Sequence, residues 1–247
     1  MYLLIILILL GCAGILIYKG IKAKRTFLSI VGGVLALLTV LLFSILDLWG
    51  EILWFEAMGY NQRIWTEITT KFGLGIAGAV AGWLILHILT ISIPGSRRAI
   101  KYFARLIGAI GGFIWGLSNW SLFLIFNNRV STSITDPIIG RETGFYLFIL
   151  PFLDSLFILL VFLLLIALLA KLSALYLNVA SENTPLKPLK DNQKNKLENW
   201  IYISSALFVF ALVYNIFLRR YHLMYSTWGA VSGPGWTDVH IRLPMYI

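Results

Sequence analysis

The chain has 247 residues, 59% hydrophobic and only 13% charged, with mean hydropathy +0.85; an ordinary soluble domain is about 45–50% apolar and about 25% charged. Intrinsic disorder is excluded by the apolar surface that must be buried, and a single cysteine excludes an intrachain disulfide framework. The net charge of +9 comes from Lys and Arg gathered in short segments between long apolar runs, which is the pattern of membrane topology signals and not of a nucleic-acid groove.

A helix rises about 1.5 Å per residue, so about 20 apolar residues cross a hydrocarbon core of about 30 Å. Six segments meet or approach that length, at roughly 2–18, 27–46, 70–92, 104–126, 153–176 and 199–218. The reading is an all-α integral membrane protein with one transmembrane domain over 1–247. Membrane lipids are its first expected partner; no nucleic-acid partner and no cofactor are expected. In the first segment, Leu9-Leu10-Gly11-Cys12 faintly resembles a lipoprotein cleavage site. No Lys or Arg precedes it, however, and the positives follow, the reverse of a signal peptide, so an uncleaved helix is expected.

After the second segment comes DLWGEILWFEAMGYNQRIWT, residues 47–66. Trp49, Trp54, Phe55, Tyr60 and Trp65 interleave with acids, which predicts an interfacial helix and a turn at Gly59. The third segment has Gly78 and Gly82, with Gly75 and Ala79; the fourth has Gly108, Gly112 and Gly116. Small residues four apart form a face on which membrane helices approach closely, so these two should pack tightly, in the simplest case against each other.

Polar residues at membrane depth are few. His87, near Thr90 and Ser92, reads as a neutral imidazole bonded to a backbone carbonyl. Asn119 and Asn215 lie toward the opposite helix ends. Asp154 and Lys171 stand at the two ends of the fifth segment, within snorkelling reach of the interfaces. Residues 178–199, with Pro185 and Pro188, read as a polar loop.

Two further segments are dense in signals. In 135–152, Asp136-Pro137 favours a turn, Gly140 and Gly144 permit unusual backbone, and Phe145, Tyr146 and Phe148 precede Pro151 at a helix start. In 221–244, Gly229, Gly233, Pro234 and Gly235 make a loop after which Trp236 leads into Asp238, His240 and Arg242. If extended, that stretch places these last three on one side.

Orientation follows from the basic residues. One set of turns holds Lys19, Lys22, Lys24, Arg25, Arg97, Arg98, Lys101, Arg105, Lys171, Lys187, Lys190, Lys194 and Lys196. The other holds fewer: Arg63, Lys71, Arg129, Arg141, Arg219, Arg220 and Arg242. The richer set belongs in the cytoplasm. Both termini and the Gly- and aromatic-rich loops are therefore expected on the extracytoplasmic side of the cell membrane.

Three blocks recur in a known order. They are Trp54-Phe55 with Gly59-Tyr60 and Trp65-Thr66; Asp136-Pro137, Gly140, Gly144-Phe145-Tyr146, Phe148 and Leu150-Pro151-Phe152; and Tyr221, Leu223, Tyr225-Ser226, Gly229, Trp236 to His240 and Arg242-Leu243-Pro244. From about residue 27 to the end the chain resembles uncharacterised protein family 0182, bacterial multi-pass membrane proteins of unknown function. The resemblance implies longer relatives that continue through further membrane helices into a large extracytoplasmic region. It makes this chain similar to their membrane-embedded front part, with an additional apolar segment at 1–18 and Arg219 where an acid is more usual. It carries over no catalytic residue.

The leading expectation is a non-enzymatic membrane subunit. Its outer loops, through Trp54, Phe55, Gly59, Tyr60, Trp65, Asp136, Pro137, Gly144, Phe145, Tyr146, Trp236, Asp238, His240 and Arg242, would dock a partner or further copies within a membrane complex. A transporter or channel component is the alternative, with His87, Asn119 and Asn215 along a path. An outer-surface enzyme acting on lipid or cell-wall precursors through Asp238, His240 and Arg242 is the weaker one.

Overall fold

A computed structural model describes residues 2–179, 189–227 and 233–246. Among them the regular structure is helical, with one isolated antiparallel bridge between Thr135 and Glu142. The helices are α1 (Tyr2–Lys22), α2 (Thr26–Ala57), α3 (Asn61–Leu89), α4 (Arg98–Ser118), α5 (Trp120–Asn127), α6 (Leu150–Val179) and α7 (Asp191–His222). All except the short α5 are long and apolar enough to cross a membrane. The six-span, all-helical expectation therefore holds.

The chain packs as two units, Met1–Ile68 and Thr69–Ile247. In the first, α1 and α2 form a hairpin whose turn places Lys24 in the left-handed region at φ 51°. The helices meet through small residues: a side chain at Gly32 would press on the Ala13 carbonyl and on Ile17, and one at Gly20 would strike Ser29. The interfacial helix expected after residue 46 is the continuation of α2, since no proline interrupts it and Gly50 alone is a weak breaker. At 32 residues α2 is about 48 Å long. It outreaches a hydrocarbon core of about 30 Å, so the Trp- and Glu-bearing end has a reason to be amphipathic. The turn at Gly59 is present, with φ +76°.

In the second unit, α3 from Thr69 onward packs on α4 through the two glycine faces. A Cβ at Gly112 would overlap the Gly78 carbonyl oxygen, and one at Gly82 would overlap that of Gly108. Gly116 lies against Leu74 and Gly75 in the same seam. The two backbones touch there, which no larger residue permits.

The fourth span differs from the single helix expected over 104–126. It begins earlier, at Arg98, and breaks at Asn119 before α5. The Asn119 side-chain amide donates to the Trp115 carbonyl at 2.8 Å, and its own backbone leaves the helical region at φ −112°, ψ 16°. A short amide competing for local backbone groups is a known way to interrupt a helix. The polar loop expected over 178–199 is also shorter. Helix α6 runs through Val179 and α7 starts at Asp191, an acid at the positive end of the helix dipole. Pro185 and Pro188 lie outside the described residues.

Lys171 is a correction. It does not snorkel: it is fully buried between α6 and α7, donating to the Ser204 hydroxyl and to the Trp200 carbonyl at 3.4 Å, over the Trp200 ring. It lies about two turns from the end of a helix that is longer than expected, so its stem reaches the neighbouring helix before it reaches an interface. His87 is another. Its Nδ1 is buried with no hydrogen-bond partner among the described residues, and the ring packs beside Trp83 at 5.1 Å. Arg97, also buried, donates to the Leu177 carbonyl in the last turn of α6, where a cation complements the dipole.

Candidate functional site

The end of the second unit where α6 begins and α7 finishes holds the distinctive sequence. Asp136 organises the loop before α6. Its carboxylate accepts from the backbone N–H groups of Ile138 at 3.0 Å and Ile139 at 2.7 Å, closing the turn that Pro137 and Gly140 (φ +73°) permit. It also accepts from the Tyr146 hydroxyl at 3.2 Å. Glu142 closes the other side. One of its oxygens accepts from the Ser131 hydroxyl at 2.6 Å and from the backbone N–H groups of Thr132 and Ser133, which holds its carboxyl below the usual carboxylate range.

The second and third sequence blocks meet here. The Tyr225 hydroxyl donates to the Tyr146 carbonyl at 2.5 Å, and Phe145 stands edge-on to Tyr221 at 5.0 Å. Tyr146, Leu150, Leu218 and Tyr221 form the buried cluster behind them. Asp136, Gly144 and Tyr146 are therefore internal and hold the loop to α7, while Phe145 is partly covered. Pro137 is exposed.

Residues Asp238–Arg242 form a wide π-turn, not the extended stretch on which the alternation of Asp238, His240 and Arg242 depended. The same geometry occurs at Phe145–Ile149. Each turn runs directly into a Leu-Pro pair, Leu150-Pro151 or Leu243-Pro244. A proline has no N–H to give the carbonyl four residues back, and its ring crowds that carbonyl, so the turn ahead of it widens.

This geometry separates Asp238 from His240. Asp238 is buried, accepts from the Gly235 N–H at 3.0 Å and pairs with Arg242 at 2.9 Å. The Gly235 N–H and Arg242 together hold its carboxyl below its ordinary range. His240 instead engages the Trp236 carbonyl through Nδ1 at 3.0 Å and stacks on the Trp236 ring, centroids 4.6 Å apart at 15°. Trp236 is 70% exposed. Gly229 lies outside the described residues.

Between the start of α6, the end of α7 and this last segment is an open cavity of about 550 Å³. Asp154, Asn215, Arg219, His222 and Arg242 supply its polar wall; Ile158, Leu218 and Leu223 supply an apolar one. His222 Nε2 lies 3.1 Å from Asp154. The Asp–His pair that sequence proximity offered at Asp238 and His240 is thus found between two residues on different helices. Asp154, Arg219 and His222 are not among the candidate site residues of the sequence, and Asn215 enters there only through the transport alternative; only the placement of Asp154 and His222 at like ends of two spans hints at the pairing.

In the first unit, Trp54, Tyr60 and Trp65 are exposed beside Gly59, and Phe55 is half-buried against the Trp54 ring.

Six spans, glycine-faced packing and a polar site at the helix ends define a multi-pass helical membrane protein. The chain matches the Uncharacterised protein family (UPF0182) over residues 90–247 and belongs to that family. It is 30% identical to a UPF0182 protein of Synechococcus sp. (strain JA-3-3Ab), over 86% of this chain and 24% of that protein. A UPF0182 protein of Desulforamulus reducens is 26% identical over 87% of this chain and 27% of its own length. One of Pelobacter propionicus is 29% identical over 90% and 27%. The chain thus spans about a quarter of the length of these relatives. The block at Trp54 lies outside the range of the family match. No solved structure matches the chain.

Proposed function

We propose that this chain is a non-enzymatic, membrane-embedded subunit whose aromatic-rich end faces the outside of the cell membrane and docks a polypeptide partner. The richer set of basic turns, kept in the cytoplasm, supports the orientation. The observation that carries the docking role is Trp236. It is exposed, flat against His240, and set on a segment that Asp238 pins from beneath through Gly235 and Arg242. An exposed tryptophan already held in place loses little freedom on binding, which is the character of an interface hot spot. The partner is the polypeptide that relatives carry beyond the part matched here, whether on the same chain or on another.

A photo-crosslinking residue in place of Trp236, used in native membranes, tests this. The expected product joins residue 236 to a polypeptide segment outside 1–247, and Trp236→Ala weakens that association by about 2 kcal/mol or more. Crosslinks to lipid alone would contradict the docking role. The transport reading has less support: His87 packs beside Trp83, Asn119 binds the Trp115 carbonyl, and Asn215 lines the cavity at the far end of α7.

A further inference from the structure

We infer that the cavity between α6, α7 and the 238–246 segment binds the phosphate group of an anionic membrane amphiphile, a lipid with an accessible phosphomonoester or phosphodiester.

The charge in the cavity is arranged unevenly. His222 is matched by Asp154 at 3.1 Å, and Arg242 is fixed to Asp238 at 2.9 Å. Among the described residues Arg219 has no carboxylate partner: its Nε reaches the neutral Asn215 amide oxygen, at 3.4 Å. A guanidinium at a cavity wall without an acid leaves a net positive position, and its planar fork of donors suits two phosphate oxygens at once. Arg242, held by Asp238, supplies a second guanidinium at the wall. The carboxylate in the wall, Asp154, is occupied by His222.

The other wall has the opposite character. Ile158 faces outward from α6 along the span, with Leu218 and Leu223 buried behind it. A small soluble anion would use the polar wall and leave the apolar one wet. An amphiphile covers both, its phosphate at the helix ends and its chains alongside the spans. The volume of about 550 Å³ accommodates a head group and the first carbons of its chains. This assignment does not depend on which face of the membrane the site occupies, nor on the docking role of Trp236.

The test uses the full chain in a neutral detergent, with native mass spectrometry reading retained lipid. Dioleoyl phosphatidic acid is the probe, and dioleoyl phosphatidylcholine, oleate and inorganic phosphate are the competitors. The expected result is one phosphatidic acid per chain, not displaced by millimolar inorganic phosphate or by equimolar oleate. Arg219→Gln should weaken retention about tenfold, as loss of a charge-assisted contact requires, with helix content unchanged. Arg219→Lys, which keeps the charge and loses the fork, should fall between. Displacement by inorganic phosphate alone would overturn the amphiphile, and equal competition by oleate would overturn phosphate recognition. Undiminished retention by both Arg219 variants would overturn the site.

Discussion

The carboxylates Asp136 and Asp238 do similar work at two places: in a Gly- and Pro-containing turn Asp136 accepts from two backbone N–H groups and Asp238 from one, and each adds a side-chain partner, Tyr146 or Arg242. For Asp238 this has a pH consequence. Its pKa is depressed in the folded chain, so it contributes stability that is complete above the ordinary carboxyl value, about 3.9, and lost as pH falls through the lower folded value. Hydrogen exchange of residues 236–246 should therefore be slow at neutral pH and accelerate only below about pH 4. Asp238→Asn should exchange fast already at neutral pH; an unchanged profile would mean the carboxylate does not hold the segment. Much at this scale could be read from sequence. Asp136-Pro137 and Gly140 announce a turn through their own backbone preferences. The partners of Lys171, Asp154 and His222 could not, because each lies on another helix: Ser204 is 33 positions from Lys171, and His222 is 68 from Asp154.

Helices were the legible level, since a span declares itself by length and apolarity alone. Their ends were less so. Helix α2 runs past the apolar stretch because helical propensity, not hydropathy, decides where it stops, and α4 breaks at an asparagine that hydropathy does not register. Two π-turns were invisible as such, although both sit before Leu-Pro. The glycine seam was legible because spacing by four fixes a helix face. It also makes a graded prediction. At Gly112 a methyl group would meet the Gly78 carbonyl, which cannot move without parting α3 from α4, whereas at Gly73 it would meet nothing within 4 Å. Gly112→Ala should cost about 1–3 kcal/mol, the range for overpacking a tight contact. Gly73→Ala should be neutral or slightly stabilising through helix propensity. Detergent melting temperatures distinguish them; equal melting of both variants would mean the seam is not close-packed.

Taken whole, the chain is a family member covering about a quarter of its relatives' length, built as two helical units. Its unusual residues gather in the Gly- and aromatic-rich segments, while Lys and Arg gather at the alternate turns. That asymmetry is a topological claim before it is a functional one. It predicts that Ser133, in the Asp136 loop, lies outside the cell and that Ser96, before α4, lies inside. The decisive measurement is labelling by a membrane-impermeant thiol reagent in intact cells, with Cys12→Ser as background and Ser133→Cys or Ser96→Cys as the reporter. Labelling of the Ser133→Cys chain in intact cells, and of the Ser96→Cys chain only after permeabilisation, is the predicted result. The reverse pattern would turn the aromatic end toward the cytoplasm and contradict the proposed role.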